Sequence, residues 1–480
     1  MKHSKSMALL LVMALFITVF TGCSNNAAND PGSEAANTPP DTGANANGNA
    51  KGEQDADKPE EKPSWQNEKI TLKFAGYEDA KIMDGMIKGF MEKYPNITVV
   101  RDEKINWPWN ESLATAASAN DMPDVFWLDT VSVGVENDWL LDLSPYWNDD
   151  PETEAVYPNI AAQAKYNGKR FAAAGWQVLY GVYLNKTLFE KNNVALPSYD
   201  WTIDEMLELA KKLSNPDKHY YGISGAGYDL HFEEYWPMAN DPSLGYNTFD
   251  GEKFHFTNQE WIDAFNKKLE LQRVKTEDAM TPEERGKEFG NKDAWAFQEG
   301  HVAMATEGSW TISWLPAEMK KTGAGDLDFY PYPAGKTGQK MPALLDYIGV
   351  SSTTKHPEAA YALMKWMSWG RDGWLKRLEL YGQNNNDFVQ FPIADYPEVW
   401  EKIEPLLRLP GQKAVMKLLK DAVPSYNKTL LGLAEYEKWF ADNKFPEKFK
   451  AGEFTPADKA KELEDKANEF IAKAKAELSQ

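Results

Sequence analysis

Between Lys69 and Val100 the chain spells one strand, one helix and a second strand in immediate succession. Lys69 to Gly76 alternates, with Ile70, Leu72 and Phe74 on one face; that two-residue period is a half-buried strand. Ile82, Met83, Met86, Ile87, Phe90 and Met91 then recur at helical spacing, Pro95 stops the helix, and Ile97 to Val100 forms a second strand. A βαβ unit commits its neighbours to a parallel sheet, because only a long crossover can bring the second strand back in the same direction. Asp124 to Asp129 encloses Val125-Phe126-Trp127-Leu128, a short apolar run typical of a fully buried strand. Thr202-Ile203-Asp204-Glu205 is a capping box that opens a helix with Ile203, Met206, Leu207, Ala210 and Leu213 inward. Pro357 opens another helix through Ala360, Met364 and Met367, and an amphipathic Lys/Glu-rich helix runs from Pro456 onward. No repeat of solenoid period is present. The class is α/β, and 480 residues suit two or three domains.

The N-terminus reads as an address. Lys2 and Lys5 precede Met7 to Val19, apolar apart from Thr18. A span of about 20 residues crosses a bilayer comfortably, so this shorter run is a signal-peptide core. Phe20-Thr21-Gly22-Cys23, followed by Ser24, resembles a bacterial lipobox, with Phe20 where Leu is usual. The resemblance implies that the Cys23 thiol receives a diacylglycerol and that Cys23 becomes the mature N-terminus, residues 1–22 being the lipoprotein signal peptide. An ordinary signal peptide or a retained membrane anchor is the alternative. Cys23 is the sole cysteine, so no intramolecular disulfide exists. Residues 23–68 are rich in Asn, Ala, Gly, Asp, Glu and Pro and nearly free of large apolar side chains before Trp65. Such a segment buries too little surface to offset its ordering entropy and reads as a flexible acidic tether.

Charge narrows the possible partners. The formal charge is −21, from 52 basic and 73 acidic residues. That excludes nucleic acid and broad contact with anionic lipid as partners. It also disfavours a polyanionic ligand, unless a local basic pocket overrides the total. The 18 Trp residues fill cores in the first instance, but the same flat apolar faces stack on the C–H faces of sugar rings.

Catalytic patterns are missing. The six histidines make no His-Glu-x-x-His helix, and His231 near Glu233 and Glu234 is read as part of a solvated cluster. Gly222-Ile223-Ser224-Gly225-Ala226 places Ala226 where a nucleophile elbow needs Gly. Phosphate-loop and dinucleotide-binding patterns are absent, and no cofactor or metal is implied. Asp149-Asp150 and Glu233-Glu234 are adjacent carboxylates; a glycosidase needs two placed roughly 5–9 Å apart across a cleft.

Several segments together resemble the extracellular solute-binding proteins of carbohydrate ABC importers, the maltose-binding-protein-like family. They are Ile70 to Val100, Met122-Pro123-Asp124-Val125, Trp139 to Leu143, Tyr166 to Lys169, Tyr183 to Phe189, Leu196 to Leu213, Phe297 to Met304 with Gly308-Ser309-Trp310, and Ile348 to Trp366. Phe171 to Trp176, where the family often has Pro, and Leu184, where it usually has Tyr, depart from the pattern. The resemblance implies a two-lobed periplasmic-binding-protein-like fold with strands crossing between the lobes and ligand in the cleft. It places residues 69–178 plus 343–370 in the N-terminal lobe and 179–342 plus 371–480 in the C-terminal lobe. Crossings are expected near Gln177–Tyr180, Lys336–Ala343 and Gly370–Lys376. The implied protein is a non-enzymatic monomer, anchored through Cys23 to the outer face of the cell membrane, that delivers an oligosaccharide to permease subunits. A surface glycoside hydrolase or lyase, and a sugar sensor partner of the same fold, are the alternatives.

A sugar site needs aromatic platforms and polar groups that fork onto hydroxyls, and loops at the carboxyl ends of strands are where these converge. Tyr77 and Glu78 follow the first strand, and Asp129 follows the Val125–Leu128 run. Trp176 precedes a crossing, Tyr347 lies near the returning strand, and Tyr228 follows Gly227. By resemblance, Trp310 is the cleft tryptophan of the Gly-Ser-Trp segment and Trp236 a second-lobe platform. Trp107 and Trp109 flank Pro108 as rim platforms or as a packed turn.

Overall fold

The computed structural model describes residues 64–224, 232–384 and 388–479; Cys23 and Tyr228 lie outside them. Two sheets organise these residues. The first has seven strands: β1 (Ile70–Ala75), β2 (Ile97–Arg101), β3 (Val125–Leu128), β6 (Ala173–Val178), β11 (Pro342–Val350), β12 (Gln390–Phe391) and β13 (Val423–Pro424). The second has four: β7 (Tyr180–Asn185), β8 (Tyr221–Ile223), β9 (Val302–Gly308) and β10 (Leu327–Tyr330). A hairpin, β4 (Lys165–Tyr166) with β5 (Lys169–Arg170), stands apart and turns at Asn167-Gly168. Both turn residues have positive φ, 50° and 78°, the geometry an Asn-Gly hairpin turn requires.

The opening βαβ reading matches the structure. β1 buries Ile70, Leu72 and Phe74 and pairs parallel with β2 and with β3. The intervening helix, Ala80–Lys93, starts where Asp79 Oδ1 accepts the amides of Lys81 and Ile82. It buries Ile82, Met83, Met86, Ile87 and Phe90 against the sheet. β3 is buried on both faces, so its apolar residues run continuously rather than alternating. The capping box at Thr202 and Glu205 forms as read, and the helix Ile203–Leu213 buries Ile203, Met206, Ala210 and Leu213. Among the described residues, no helix is long and apolar enough to cross a membrane.

In the first sheet, order β12-β6-β11-β3-β1-β2, β11 runs antiparallel to both β3 and β6. In the second, order β10-β7-β9-β8, β7 runs antiparallel to both its neighbours. The chain steps from the first sheet to the second at Leu179, the single residue between β6 and β7, and returns over residues 331–341. The third crossing is not at Gly370–Lys376. The helix Arg371–Asn384 lies along Ala80–Lys93 instead: Lys93 Nζ sits 2.6 Å from Asp372, and Leu380 fills the space left by Gly85. Residues 371–403 therefore belong with the first sheet, where β12 pairs with β6. The chain packs on the second sheet at Gly411, whose N–H donates to Asp328 of β10. It touches the first sheet again when β13 pairs with β11. The C-terminal helices then close a separate aromatic cluster around Phe249, Phe254, Phe256 and Trp261.

Gly175 is the extra residue of a bulge: opposite it, Asp346 pairs with Trp176 and Tyr347 with Ala174. A Cβ there would overlap the six-membered ring of Trp127. Gly175→Ala is expected to destabilise the protein by about 1–3 kcal/mol through overpacking, read as a lower urea midpoint at unchanged slope.

Candidate functional site

The carboxyl ends of β1 and β3, the middle of β6 and β11, and elements of the second sheet converge on one cleft. Two adjoining cavities occupy it, of about 600 and 500 Å³. Tyr77, Val178, Trp310 and Asp346 line both. The larger adds Glu78, Asp79, Trp176, Tyr381 and Gln390; the smaller adds Trp107, Asp129, Tyr180, Glu234, Tyr246 and Lys428. Both sheets therefore supply walls. Another cavity, about 510 Å³ around Trp65, Tyr94, Tyr146 and Tyr361, is lined from the first lobe and its N-terminal approach, so lobe closure could not enclose a ligand there.

Asp346 organises the cleft floor. Its Oδ2 accepts the indole N–H of Trp176 at 2.7 Å. Its Oδ1 accepts the Tyr77 hydroxyl at 3.2 Å and Lys428 Nζ at 2.7 Å. Burial, followed by the charges of Asp346 and Asp129, holds the Tyr77 phenol well above its ordinary pKa, so Tyr77 stays a hydrogen-bond donor. Its ring packs 5.8 Å from Trp107 and edge-on to Trp109 at 5.1 Å. Trp176 packs on Trp127 with the rings tilted by 42° and centroids 3.7 Å apart, and the Arg377 guanidinium lies 5.0 Å from the Trp176 ring. Arg377 also pairs with Glu78 and donates to the Met367 carbonyl at 2.8 Å. Burial raises the Glu78 pKa against the opposing pull of Arg377. Glu78 is thus a buried structural partner of Arg377 in the cavity wall.

From the second lobe, Trp310 follows β9 and tilts against Tyr180 at 6.0 Å. Its indole is held by Glu307, whose Oε1 also accepts the Gly308 amide at 2.8 Å. Burial pushes Glu307 up to about 7 despite both hydrogen bonds. Glu234 Oε2 accepts the Tyr246 hydroxyl at 2.7 Å.

Of the residues singled out in sequence, Tyr77, Glu78, Trp107, Asp129, Trp176 and Trp310 line the cleft. Trp107, 61% exposed, lies in the lining of the smaller cavity, whereas Trp109 is packed, 2% exposed with its indole N–H on the Trp127 carbonyl at 2.7 Å. Tyr347 is core, 1% exposed, because successive residues of β11 face opposite sides and Asp346 takes the cleft side. Trp236 packs half-buried on the core and lines neither cavity; its helix presents Glu234 instead. Sequence reasoning missed Asp346, Glu234, Tyr180 and Lys428. The signal for Asp346 was a carboxylate inside the apolar run Ala343-Leu344-Leu345-Asp346-Tyr347-Ile348.

The adjacent carboxylates have structural partners: Asp150 bonds Lys365 at 2.7 Å and Glu233 bonds Lys268 at 2.8 Å. Among the described residues, no group of three or more His, Cys, Asp and Glu is arranged to hold a metal.

A sequence profile described as bacterial extracellular solute-binding protein matches residues 75–368. No curated protein matches the chain significantly. Among solved structures, the chain is similar to an ABC substrate-binding protein from Listeria monocytogenes in complex with cycloalternan (TM-score 0.65, 22% identity, 84% of this chain and 100% of that one). It is similar to the sugar-binding protein MalE from Xanthomonas citri (0.63, 16%, 85% and 99%). A cyclic alpha-maltosyl-1,6-maltose binding protein from Arthrobacter globiformis also matches (0.63, 18%, 84% and 99%). At these identities the likeness establishes the two-lobed fold.

The raised Glu307 pKa has a signed consequence. The unfolded chain ionises this group near its ordinary 4.5, the folded chain near 7, so its neutral form adds stability below 4.5 that is lost as pH rises to 7. The melting temperature of the wild type relative to Glu307→Gln is expected to fall between those values and level off above pH 7. A flat difference would place an ionised Glu307 beside Trp310 throughout.

Proposed function

This chain belongs to the bacterial extracellular solute-binding proteins, and from that membership we propose that it is the sugar-binding component of an ABC importer, taking an oligosaccharide into the interlobe cleft and delivering it to permease subunits. The observation that carries this reading is the aromatic lining contributed from both lobes. Tyr77, Trp107 and Trp176 come from the first, Tyr180 and Trp310 from the second. Rings on opposite walls suit a saccharide, whose C–H faces need apolar cover while its edges need hydrogen bonds. Asp129 and Glu234 supply acceptors at those edges.

The mechanism is a shift of population. A ligand that touches both lobes only when they close stabilises the closed form by that difference in contact, and the closed form is the one presented to the permease. The Leu179 crossing and the 331–341 segment are where such a hinge would flex. The chain acts without chemistry on its ligand, as a monomer, held on the outer face of the cell membrane through lipidated Cys23.

In a thermal-shift screen against oligosaccharides, a cognate sugar at 100 times its Kd should add about 2.7 kcal/mol of stability, with no product released on incubation. Trp310→Ala should cost about 2 kcal/mol of binding, roughly 30-fold in Kd. Failure of every oligosaccharide to shift the melting temperature would remove the sugar reading, and steady breakdown of one of them would replace it with hydrolysis.

The anchor is tested separately. Cells expressing the wild type should incorporate labelled palmitate into the protein and retain it with membranes. Cys23→Ala should abolish the label and release the protein, since acyl chains contribute about 0.8 kcal/mol per buried CH₂. Equal labelling of both would exclude Cys23 as the site.

A further inference from the structure

The cleft holds a marked imbalance of charge. In the smaller cavity Asp129 enters from the end of β3, Glu234 from the helix Phe232–Asn240 and Asp346 from β11. The one basic side chain lining it is Lys428, whose Nζ lies 2.7 Å from Asp346 Oδ1. The larger cavity adds Glu78 and Asp79 and has no basic side chain in its lining; Arg377 stands behind the wall, paired with Glu78. The acidic sequence left room for a basic pocket, and this cleft is the reverse of one.

Ionised carboxylates accept hydrogen bonds and donate none. Sugar hydroxyls and ammonium groups can satisfy them. A uronate, sulfate or phosphate on the ligand would instead meet like charge in a partly desolvated space, where repulsion is stronger than in bulk water and salt reduces it only in part. Tyr77 reports the same negative field, since the charges of Asp346 and Asp129 add to burial in raising its pKa. Asp346 is already engaged by Tyr77, Trp176 and Lys428. Asp129 and Glu234, which line the same cavity from the two lobes, are the carboxylates in position to meet a ligand, Glu234 with its Oε2 also accepting the Tyr246 hydroxyl.

Resting on the sugar-binding reading, we propose that the cleft selects by charge, accepting neutral or amino-bearing oligosaccharides and rejecting acidic ones, with Asp129 and Glu234 as the specificity-determining pair. Closure would bring the ligand between them, so the penalty on an anion falls on the closed form and opposes the step that delivers cargo.

The test screens full-length protein in detergent against arrayed neutral, amino, uronic and sulfated oligosaccharides. Titration then follows with the best neutral binder and with the same saccharide after one primary hydroxyl is oxidised to a carboxylate. Binding should be confined to neutral and amino members, and oxidation should weaken it roughly tenfold or more. The double variant Asp129→Asn/Glu234→Gln should lose most of that ratio, whatever happens to its absolute affinity. Raising the salt from about 20 to 500 mM should shrink the wild-type ratio, a measurement that stands even if the variant does not fold. Acidic saccharides bound as tightly as neutral ones, or a ratio indifferent to salt, would overturn the charge rule while leaving sugar binding intact. If no saccharide of any charge binds, the underlying reading falls and the charge rule with it.

Discussion

One carboxylate, Asp346, holds the cleft together. It sits in β11, a strand that joins the first sheet between β3 and β6 immediately after the chain returns from the second lobe. Three donors from three separate segments end on it: Tyr77 after β1, Trp176 in β6 and Lys428 after β13. A half-buried carboxylate left without partners would be costly, so these donors are as necessary to Asp346 as it is to their placement. The consequence is orientation. Trp176 is pinned in the cleft wall by its indole N–H, and Tyr77 is held between Asp346 and the Trp107 ring.

Aromatic abundance divides between two duties. Trp127, Trp201, Trp369 and Trp374 are fully buried, and the cluster around Phe249, Phe254, Phe256 and Trp261 packs the C-terminal helices. A chain of two sheets and several helical layers has several interiors to fill, and large rings bury much surface per residue. Only a minority of the rings, among them Trp107, Tyr180 and Trp310, line the cleft, with Trp176 reaching it as a ring only 1% exposed. Each of these leans on something that fixes it: Trp176 on Asp346 and Trp127, Trp310 on Glu307 and Tyr180.

Local pattern was legible wherever burial follows periodicity. The opening βαβ unit, the buried strand Val125–Leu128 and the Thr202 capping box are each set by neighbours a few residues away. Position after a strand also placed Tyr77 and Asp129 at the cleft. The misreadings have a common cause. Tyr347 and Asp346 are adjacent, and the pleat sends them to opposite faces, so a shift of one residue moves a side chain from cleft to core. Trp107 and Trp109 are two apart, but Trp109 opens the helix Trp109–Ser118 and its indole donates to the Trp127 carbonyl in the core, while Trp107 stays outside. On one helical turn, Glu234 reaches the cleft and Trp236 does not.

By itself, the sequence determined the α/β class, the strands β1, β2 and β3, the Thr202 cap and the family, because those rest on short-range periodicity and on motifs in order. Tertiary structure alone decided that Arg371–Asn384 stays on the first lobe, that Lys428 comes back to the cleft, and that Asp346 gathers Tyr77 and Trp176. Each of these joins residues at least 80 positions apart. Their pairing is set by which surfaces remain to be covered once both sheets have formed, and no local spacing in the chain encodes it.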